Sequence, residues 1–262
     1  MSVLIHPTAL VSPKATIGVS VEIGPFCIVE DDVIIGEGSK LVSNVTLANG
    51  TRIGNNVVLH SGAVIGTYPQ DLKFAGEATE AIIGDRTVVR EYATVNRGTL
   101  STGRTMVGAD VLLMAYVHVA HDCVVSNKVI IANSTQLGGH VSIGYHAVVG
   151  GLCGVHQFCA VGEHAMVAGT TFVTKDIPPF ALAGRSPVCV EGLNAIGLRR
   201  RGFSDSNIAE IQSFYRQLYT TGLNISDAIA AYQRSHHTYS DNIKSCIDFI
   251  SKSKRGIARF HS

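Results

Sequence analysis

The sequence contains no tryptophan, few aromatic residues and no long apolar run. Aromatic residues make up 6% of the 262 residues, although hydrophobic residues make up 46%. The hydrophobic residues stand singly between polar ones, and no stretch approaches the roughly 18 consecutive apolar residues of a membrane span. The N-terminus has no basic segment followed by an apolar run, so we expect neither a membrane span nor a signal peptide.

Charge is scarce as well and nearly balanced. Charged residues make up 16% of the chain, and the formal net charge is +1 at pH 7. Proteins that bind nucleic acid through its phosphates are usually basic, so this balance argues against bulk nucleic-acid binding.

The sequence does contain a repeat with a period of six residues. Aliphatic side chains stand at every sixth position, and the residue two places before each is small or β-branched; the runs are Ile5 to Ile65, Ile83 to Val95 and Val107 to Val173. This period predicts an all-β left-handed parallel β-helix of hexapeptide repeats, in which three hexapeptides form one triangular coil of about eighteen residues. The two columns fill the interior of the prism.

Four of the six cysteines lie in the small inward column: Cys27, Cys123, Cys153 and Cys159. This placement predicts buried free thiols rather than metal ligands. Because free thiols suit a reducing compartment, we expect a cytoplasmic protein.

The repeats are interrupted twice. After the first run, the expected core positions hold Asp71 and Glu77, and a charge facing this core would be very costly. We therefore predict a loop near 67–81. Ser101 stands at the core position of the second gap, and nearby glycines predict a shorter loop near 97–106.

The β-helix domain is predicted to span 1–176, and prolines 178 and 179 end its repeats. The remaining segment, 177–262, is predicted to be a small helical domain, with Ser204 as a candidate N-cap and Ser240 before a second helix. The two helical faces are Ile208, Ile211, Tyr215, Leu218 and Tyr219, and Ile243, Cys246, Ile247 and Ile250. A domain this small cannot bury a full core, so we expect it to pack on the end of the prism or on a neighbouring chain.

A histidine-rich segment follows the repeat from His118 to Asp122. Val117 and Val119 face inward, so His118 must face outward. Residues eighteen apart stack on successive coils, and the pattern is expected to bring together one outer patch: His118, His121, Asp122, Gly139, His140 and Gln157.

This patch has the groups of an acyl transfer site. In it His121 lies under Gly139, and Asp122 under His140. A neutral histidine beside a carboxylate is a good general base, and a glycine N–H can hold an oxyanion. No Ser or Cys nucleophile shares the patch, which favours direct attack by a substrate hydroxyl.

The same patch has two other interpretations. Histidines on such a surface are often merely solvated, and this chain has eleven. Three histidines could also bind zinc. Because His118 and His121 do not have a helical spacing, we expect no metal site and no cofactor.

Two polar motifs lie outside the patch. Gln70 to Lys73 lies in the first predicted loop and could be a solvated loop or a binding segment. Arg199 to Arg201 follows Asn194. Consecutive arginines can hold phosphates by charge-assisted hydrogen bonds, or they can form a solvated helix end favoured by the helix dipole.

These motifs occur together in one known family. They are QDLK with FAGE (70–77), NRGT (96–99), HVAHDC (118–123), GGH (138–140), HQFC (156–159) and LRRRGF (198–203). In these motifs, and over essentially all 262 residues, the chain resembles the UDP-N-acetylglucosamine O-acyltransferases, which catalyse the first step of lipid A synthesis.

The resemblance implies a homotrimer with active sites between adjacent prisms. The donor would be a 3-hydroxyacyl group on acyl carrier protein, and the acceptor would be the 3-hydroxyl of UDP-N-acetylglucosamine. His121 matches the general base, Gly139 the oxyanion donor and Asp122 the residue that orients His121.

The resemblance also implies binding roles for other residues. The matches to substrate contacts are Gln70, Asp71, Lys73, His118, His140 and Gln157. Asn194, Arg200 and Arg201 match the nucleotide and phosphate end, and the two arginines would also face the acidic carrier protein. Gly169 matches the position that limits the acyl length.

Two residues depart from the family pattern. Asn96 stands beside the expected sugar where many members carry His, and Ile196 stands near the nucleotide where many carry Glu. The alternatives are another hexapeptide acyltransferase, using a coenzyme A donor or a 3-amino sugar, a zinc-dependent β-helix hydratase, and a binding scaffold without activity.

Overall fold

The computed structural model describes residues 2–260, and most of them form a prism of short strands. The strands in chain order are β1 (Leu4–Ile5), β2 (Leu10–Val11), β3 (Thr16–Ile17), β4 (Glu22–Ile23), β5 (Ile28–Val29), β6 (Val33–Ile35), β7 (Lys40–Leu41), β8 (Thr46–Leu47), β9 (Thr51–Ile53), β10 (Val58–Leu59), β11 (Val64–Thr67), β12 (Glu80–Ile83), β13 (Val88–Val89), β14 (Thr94–Asn96), β15 (Arg104–Val107), β16 (Leu112–Leu113), β17 (His118–Val119), β18 (Val124–Val125), β19 (Ile130–Ile131), β20 (Gln136–Leu137), β21 (Ser142–Ile143), β22 (Val148–Val149), β23 (Gly154–Val155), β24 (Ala160–Val161), β25 (Met166–Val167), β26 (Phe172–Val173), β27 (Ala181–Gly184) and β28 (Cys189–Leu193).

Successive strands lie on three parallel sheets in turn. The first face runs from β1 through every third strand to β25, the second from β2 to β26 and the third from β3 to β24. Strands without an intervening loop pair eighteen residues apart, as His118 does with Gln136. The inward columns are almost fully buried from Val21 onward, which confirms the predicted parallel β-helix and its core. The four column cysteines are buried and free, as predicted.

The two loops leave the prism where the charged and polar residues interrupt the repeat. Asp71 and Glu77 are both partly exposed, as predicted. The observed loops, 68–79 and 97–103, end earlier than the sequence indicated. The strands resume early because Ala81 and Thr105 already take inward, fully buried positions and pair with each other across the third face.

The region after the prolines is not purely helical, so that part of the prediction is corrected. β27 pairs in parallel with β25, with Met166 opposite Leu182, and extends the first face. β28 then pairs antiparallel with β27. The offset between Met166 and Leu182 is sixteen residues instead of eighteen, so Ala181 and Ala183 take buried positions outside the period of six.

Four helices follow the hairpin. They are α1 (Ala195–Arg200), α2 (Asp205–Thr220), α3 (Ile225–Ser235) and α4 (Asp241–Lys252). Ser204 caps α2 in a capping box with Asn207, and Ser240 caps α4, which confirms both predicted helix starts. The sequence patterns do not predict α3.

The helices pack on the end of the prism. Tyr215 of α2 is buried and donates a hydrogen bond of 2.8 Å to the carbonyl of Pro179. Ser253, at the end of α4, donates one of 2.6 Å to Asp176, which is itself buried under the last coil. The sequence left two packing sites open for this domain, and in the structure it packs on the end of the prism. No helix within residues 2–260 combines the length and hydropathy that crossing a membrane requires.

Candidate active site

His121 lies at the corner between the second and third faces, directly after β17. The stacked residue of the next coil is Gly139, and a Cβ at that position would come within 2.6 Å of His121 Cε1 and 2.7 Å of its Nε2. Only glycine lets the backbone approach the imidazole this closely. The N–H of Gly139 donates to no acceptor in the described part of the chain, so it is available to a bound oxyanion.

Asp122 fixes the orientation of the imidazole. Its Oδ2 lies 2.7 Å from His121 Nδ1, and the two side chains are 0% and 15% exposed, respectively. An ionised carboxylate can only accept hydrogen bonds, so Nδ1 carries the proton. The other nitrogen, Nε2, then has a free lone pair beside Gly139 and can act as a base.

Three threonines of the second loop and the strand after it hold Asp122. Thr99 donates from its N–H (3.0 Å) and its hydroxyl (2.7 Å), Thr102 donates a short hydrogen bond, and the Thr105 hydroxyl accepts from the Asp122 N–H at 2.8 Å. Burial, the largest single influence, raises the pKa of Asp122. The hydrogen bonds from Thr102, His121 and Thr99 together outweigh it and hold the pKa below its ordinary value.

His140 completes the corner. Its Nε2 lies 3.6 Å from Asp122 Oδ2, and its ring stacks on Phe158 with centroids 4.5 Å apart. Ligand atoms of His121, Asp122 and His140 lie within 4.8 Å of one another and could hold a metal ion. However, each oxygen of Asp122 already accepts two hydrogen bonds, from Thr99 and Thr102 on Oδ1 and from Thr99 and His121 on Oδ2. The donor pattern therefore favours a hydrogen-bonded dyad over a metal centre.

His118 faces outward from β17, as the repeat predicts. Its Nδ1 lies 2.7 Å from the hydroxyl of Thr94, which is the neighbouring residue on β14. Burial and the nearby His121 lower the pKa of His118. This favours a neutral ring that can position a polar group.

A groove of about 450 Å³ runs across the second face from this corner, and we call it the histidine groove. Its lining residues include Gln70 from the first loop and Gln157, which lies two coils above His121. Gly154 and Phe172 form its far part. The structure thus brings His118, His121, Gly139, Gln157 and Gln70 to one cavity.

Asp71 and Lys73 lie on the first loop but do not line the histidine groove. Asp71 Oδ1 accepts a hydrogen bond of 3.0 Å from the backbone N–H of Lys73, and the Lys73 side chain is exposed. Their substrate contacts stay predictions.

Asn96 is buried at the end of β14. Its Nδ2 donates to the hydroxyl of Thr67 at 3.0 Å, whereas its Oδ1 is buried without a partner in the described chain. The next residue, Arg97, places its guanidinium 4.6 Å from the ring centroid of Tyr68. The sequence patterns gave Arg97 no role, yet it fixes the loop that carries Gln70.

A second groove, of about 730 Å³, lies on the first face, and we call it the arginine groove. Outward side chains of four strands form its floor, and the helical domain contributes Asn194, Ile196, Arg200 and Arg201. Of the three consecutive arginines, Arg199 is paired with Asp205 at 3.1 Å. Arg200 and Arg201 have no acidic partner within residues 2–260.

His164 contacts both Asn194 and Arg201. Its backbone carbonyl accepts a hydrogen bond of 3.0 Å from Asn194, which also caps α1 through Gly197. Its Nδ1 lies 3.4 Å from Arg201 Nη1. Burial and the positive charge of Arg201 lower the pKa of His164 to about 4, so the ring stays neutral and accepts from the guanidinium.

The two grooves lie on different faces and are not joined in one chain. Gly169 lies at the corner between those faces, after β25, and lines neither groove. A larger cavity of about 810 Å³ between α2, α3 and the C-terminal segment contains none of the predicted site residues. Size alone therefore does not identify the site.

Known proteins with this arrangement identify the family. A family model described as "Udp N-acetylglucosamine O-acyltransferase; Domain 2" matches residues 176–258. An acyl-[acyl-carrier-protein]–UDP-N-acetylglucosamine O-acyltransferase from Janthinobacterium sp. (strain Marseille) is 44% identical over 260 residues, which cover 98% of this chain and 99% of that protein. The chain belongs to the UDP-N-acetylglucosamine O-acyltransferase family.

Solved structures agree with this assignment. A UDP-N-acetylglucosamine acyltransferase from Bacteroides fragilis superposes with a TM-score of 0.95 at 46% identity and covers 98% of this chain and 100% of that one. A relative from Acinetobacter baumannii gives 0.94 at 38% identity, with 98% and 100% covered. The likeness therefore includes the prism and the helical domain.

Proposed function

We propose that this chain transfers a 3-hydroxyacyl group from acyl carrier protein to the 3-hydroxyl of UDP-N-acetylglucosamine, the first step of lipid A synthesis. The observation that carries the proposal is the His121–Asp122 dyad beside the free N–H of Gly139. The names of the relatives supply the two substrates, and the dyad supplies the chemistry.

The proposed reaction proceeds in two stages. Nε2 of His121 removes the proton from the acceptor hydroxyl, and the oxygen attacks the thioester carbonyl. The resulting oxyanion is held by the Gly139 N–H. When the intermediate collapses, the carbon–sulfur bond breaks and the imidazolium returns the proton to the leaving thiolate. Asp122 stabilises the imidazolium between the two stages.

The surroundings support direct attack without an acyl-enzyme intermediate. The cysteine next to the dyad, Cys123, faces the core and donates to the carbonyl of Gly138 at 3.1 Å. Burial raises its pKa to about 12, so a thiolate is strongly disfavoured.

We further propose that the chain acts in the cytoplasm as a homotrimer of left-handed β-helices. Two separate grooves on different faces support this assembly, because threefold packing can place the arginine groove of one chain opposite the histidine groove of its neighbour. Arg200, Arg201 and Asn194 would then contact the phosphates of a substrate whose sugar lies near His121. Gln70, Asp71 and Lys73 would contact the same substrate from the first loop.

Asn96 bears on which acceptor is used. Its unpartnered Oδ1 is a neutral hydrogen-bond acceptor. Asn96 lies close to the histidine groove, because its strand β14 pairs with β17, and β17 is followed by Ala120, which lines the groove. A neutral amide tolerates an amine better than a protonated histidine would, so a 3-amino sugar is the competing acceptor. We propose the 3-hydroxyl sugar.

The test is mass spectrometry of products from the purified chain. UDP-N-acetylglucosamine and its 3-amino analogue are each incubated with a panel of 3-hydroxyacyl carrier proteins and with the matching coenzyme A esters. An O-acylated product from the carrier-protein donors supports the proposal. Exclusive use of the amino sugar or of coenzyme A donors would overturn the proposed substrates.

A further inference from the structure

The far end of the histidine groove carries a large side chain. Phe172 projects outward from β26, the last strand of the second face, and is 55% exposed. It is the only residue of that strand that lines the groove. Three strand spacings of ~4.8 Å separate β26 from β17, the strand of His118, so the two backbones lie roughly 14 Å apart.

The ring leans back over the groove. Its neighbour across the sheet is Gly154, and a Cβ at that position would come within 2.8 Å of Phe172 Cδ2 and 3.1 Å of Cε2. The ring therefore occupies the space above a residue that has no side chain. The absence of a side chain at Gly154 makes room for the ring, and Phe172 thereby covers the far end of the groove.

The lining changes character along this path. Near β17 and β20 the outward residues are His118 and Gln136, whereas on β23 and β26 they are Gly154 and Phe172. A sugar hydroxyl fits the polar end, beside His121. An acyl chain leaving the same carbonyl can run over Gly154 towards Phe172, with the polar His156 and Gln157 along the corner edge of the groove.

We propose that Phe172 sets the longest acyl chain this enzyme uses efficiently, by closing the apolar end of the groove with its ring. This inference rests on the acyl transfer proposed above. It differs from the expectation for Gly169, which lies at the neighbouring corner and lines neither the histidine groove nor the arginine groove. A hydrocarbon pocket favours each added methylene by only about fourfold, whereas a side chain that blocks the path excludes longer chains by clash.

The test measures kcat/KM for a series of 3-hydroxyacyl carrier proteins that differ by two carbons. We expect Phe172→Ala to move the optimum to a longer chain by at least about two carbons, because removing the ring opens space for several methylenes. Phe172→Leu should give an intermediate optimum. Because Phe172 is exposed, we expect each variant to fold, and thermal unfolding of each variant checks this.

Two further variants make the test specific. Phe26→Ala removes a phenylalanine that is 61% exposed on a corner far along the prism and should leave the length profile unchanged. Gly154→Ala must displace the Phe172 ring, so it should change the profile in the wild type and much less in a Phe172→Ala background.

An unchanged optimum in active Phe172→Ala overturns the proposal, whatever Gly169→Met does. A wild-type chain that acylates nothing with any donor would instead overturn the proposed function. The two failures are therefore distinguishable.

Discussion

The dyad corner and the arginine groove differ in how complete they are within one chain. At the corner, Asp122 is fully enclosed and every hydrogen bond it accepts comes from the same chain. In the arginine groove, Arg200 is exposed and neither it nor Arg201 meets a carboxylate among residues 2–260. The groups proposed to perform the chemistry are fixed in advance by their own chain, whereas the arginines proposed to bind phosphate have no acidic partner in the described residues.

This difference has a physical reason. A general base must present one nitrogen in a fixed direction, and a buried, fully hydrogen-bonded carboxylate holds it there without rearrangement. A phosphate-binding arginine gains its hydrogen bonds from the substrate, so an internal acid would compete with the ligand. Arg199, which is paired with Asp205, is accordingly the least suited of the three arginines to bind substrate.

The largest effect is expected at His121, the proposed base. His121→Ala should lower kcat by roughly 10²–10⁴-fold, the usual contribution of a general base. The affinity for UDP-N-acetylglucosamine should change little. Steady-state kinetics with calorimetric binding checks both. A variant that keeps more than half of the wild-type kcat would show that His121 is not the base.

A smaller loss is expected when the base is kept and its support is changed. Asp122→Asn should lower kcat by roughly 10²-fold, the lower end of the range for general-base catalysis, because the base is kept but loses the carboxylate that orients it. The amide cannot accept from Thr99, Thr102 and His121 together. The matched variant Thr102→Val removes one donor and should cost less. Equal losses in the two variants would contradict a special role for the carboxylate.

The arginine groove should respond in binding instead of rate. Arg200→Ala and Arg201→Ala should each raise KM for a phosphate-bearing substrate by about tenfold, since one charge-assisted hydrogen bond contributes ~1.5 kcal/mol or more. In both variants KM should depend less steeply on salt concentration, and kcat should stay unchanged. Arg199→Ala is the control, because its charge is already paired. If KM is the same in all three variants, the groove does not bind phosphate.

The smallest expected effect is the contribution of His164 to the pH dependence of the free energy of unfolding. The pKa of His164 is lowered to about 4 in the folded protein, from an ordinary value of about 6.5 in the unfolded chain. The unfolded chain binds more protons between these values, so the stability from this residue is present above pH 6.5 and is lost as pH falls towards 4.

His164→Asn tests this dependence. His164 has a positive φ of 55°, which Asn tolerates, and an amide oxygen can still accept from Arg201. Urea unfolding of both proteins at a series of pH values should give a shallower fall for the variant. Parallel curves would show that His164 titrates normally.

The sequence by itself determined the prism and most of the corner. A period of six fixes which side chains face inward, and an offset of eighteen fixes which outer residues stack. His121 against Gly139 and Asp122 near His140 follow from that arithmetic alone. The caps Ser204 and Ser240 could also be predicted, because a cap depends on only a few neighbouring residues.

Only the tertiary structure decided what irregular segments contribute. The threonines that hold Asp122 come largely from the second loop, whose path no repeat describes. The repeat does not predict β27, because its offset from β25 is sixteen residues instead of eighteen and its residues therefore fall outside the period of six. The ring of Phe172 over Gly154 and the separation of the two grooves depend on side-chain directions and on which face each strand joins. A local pattern encodes the repeat, but contacts between loops, faces and the helical domain depend on residues far apart in the chain.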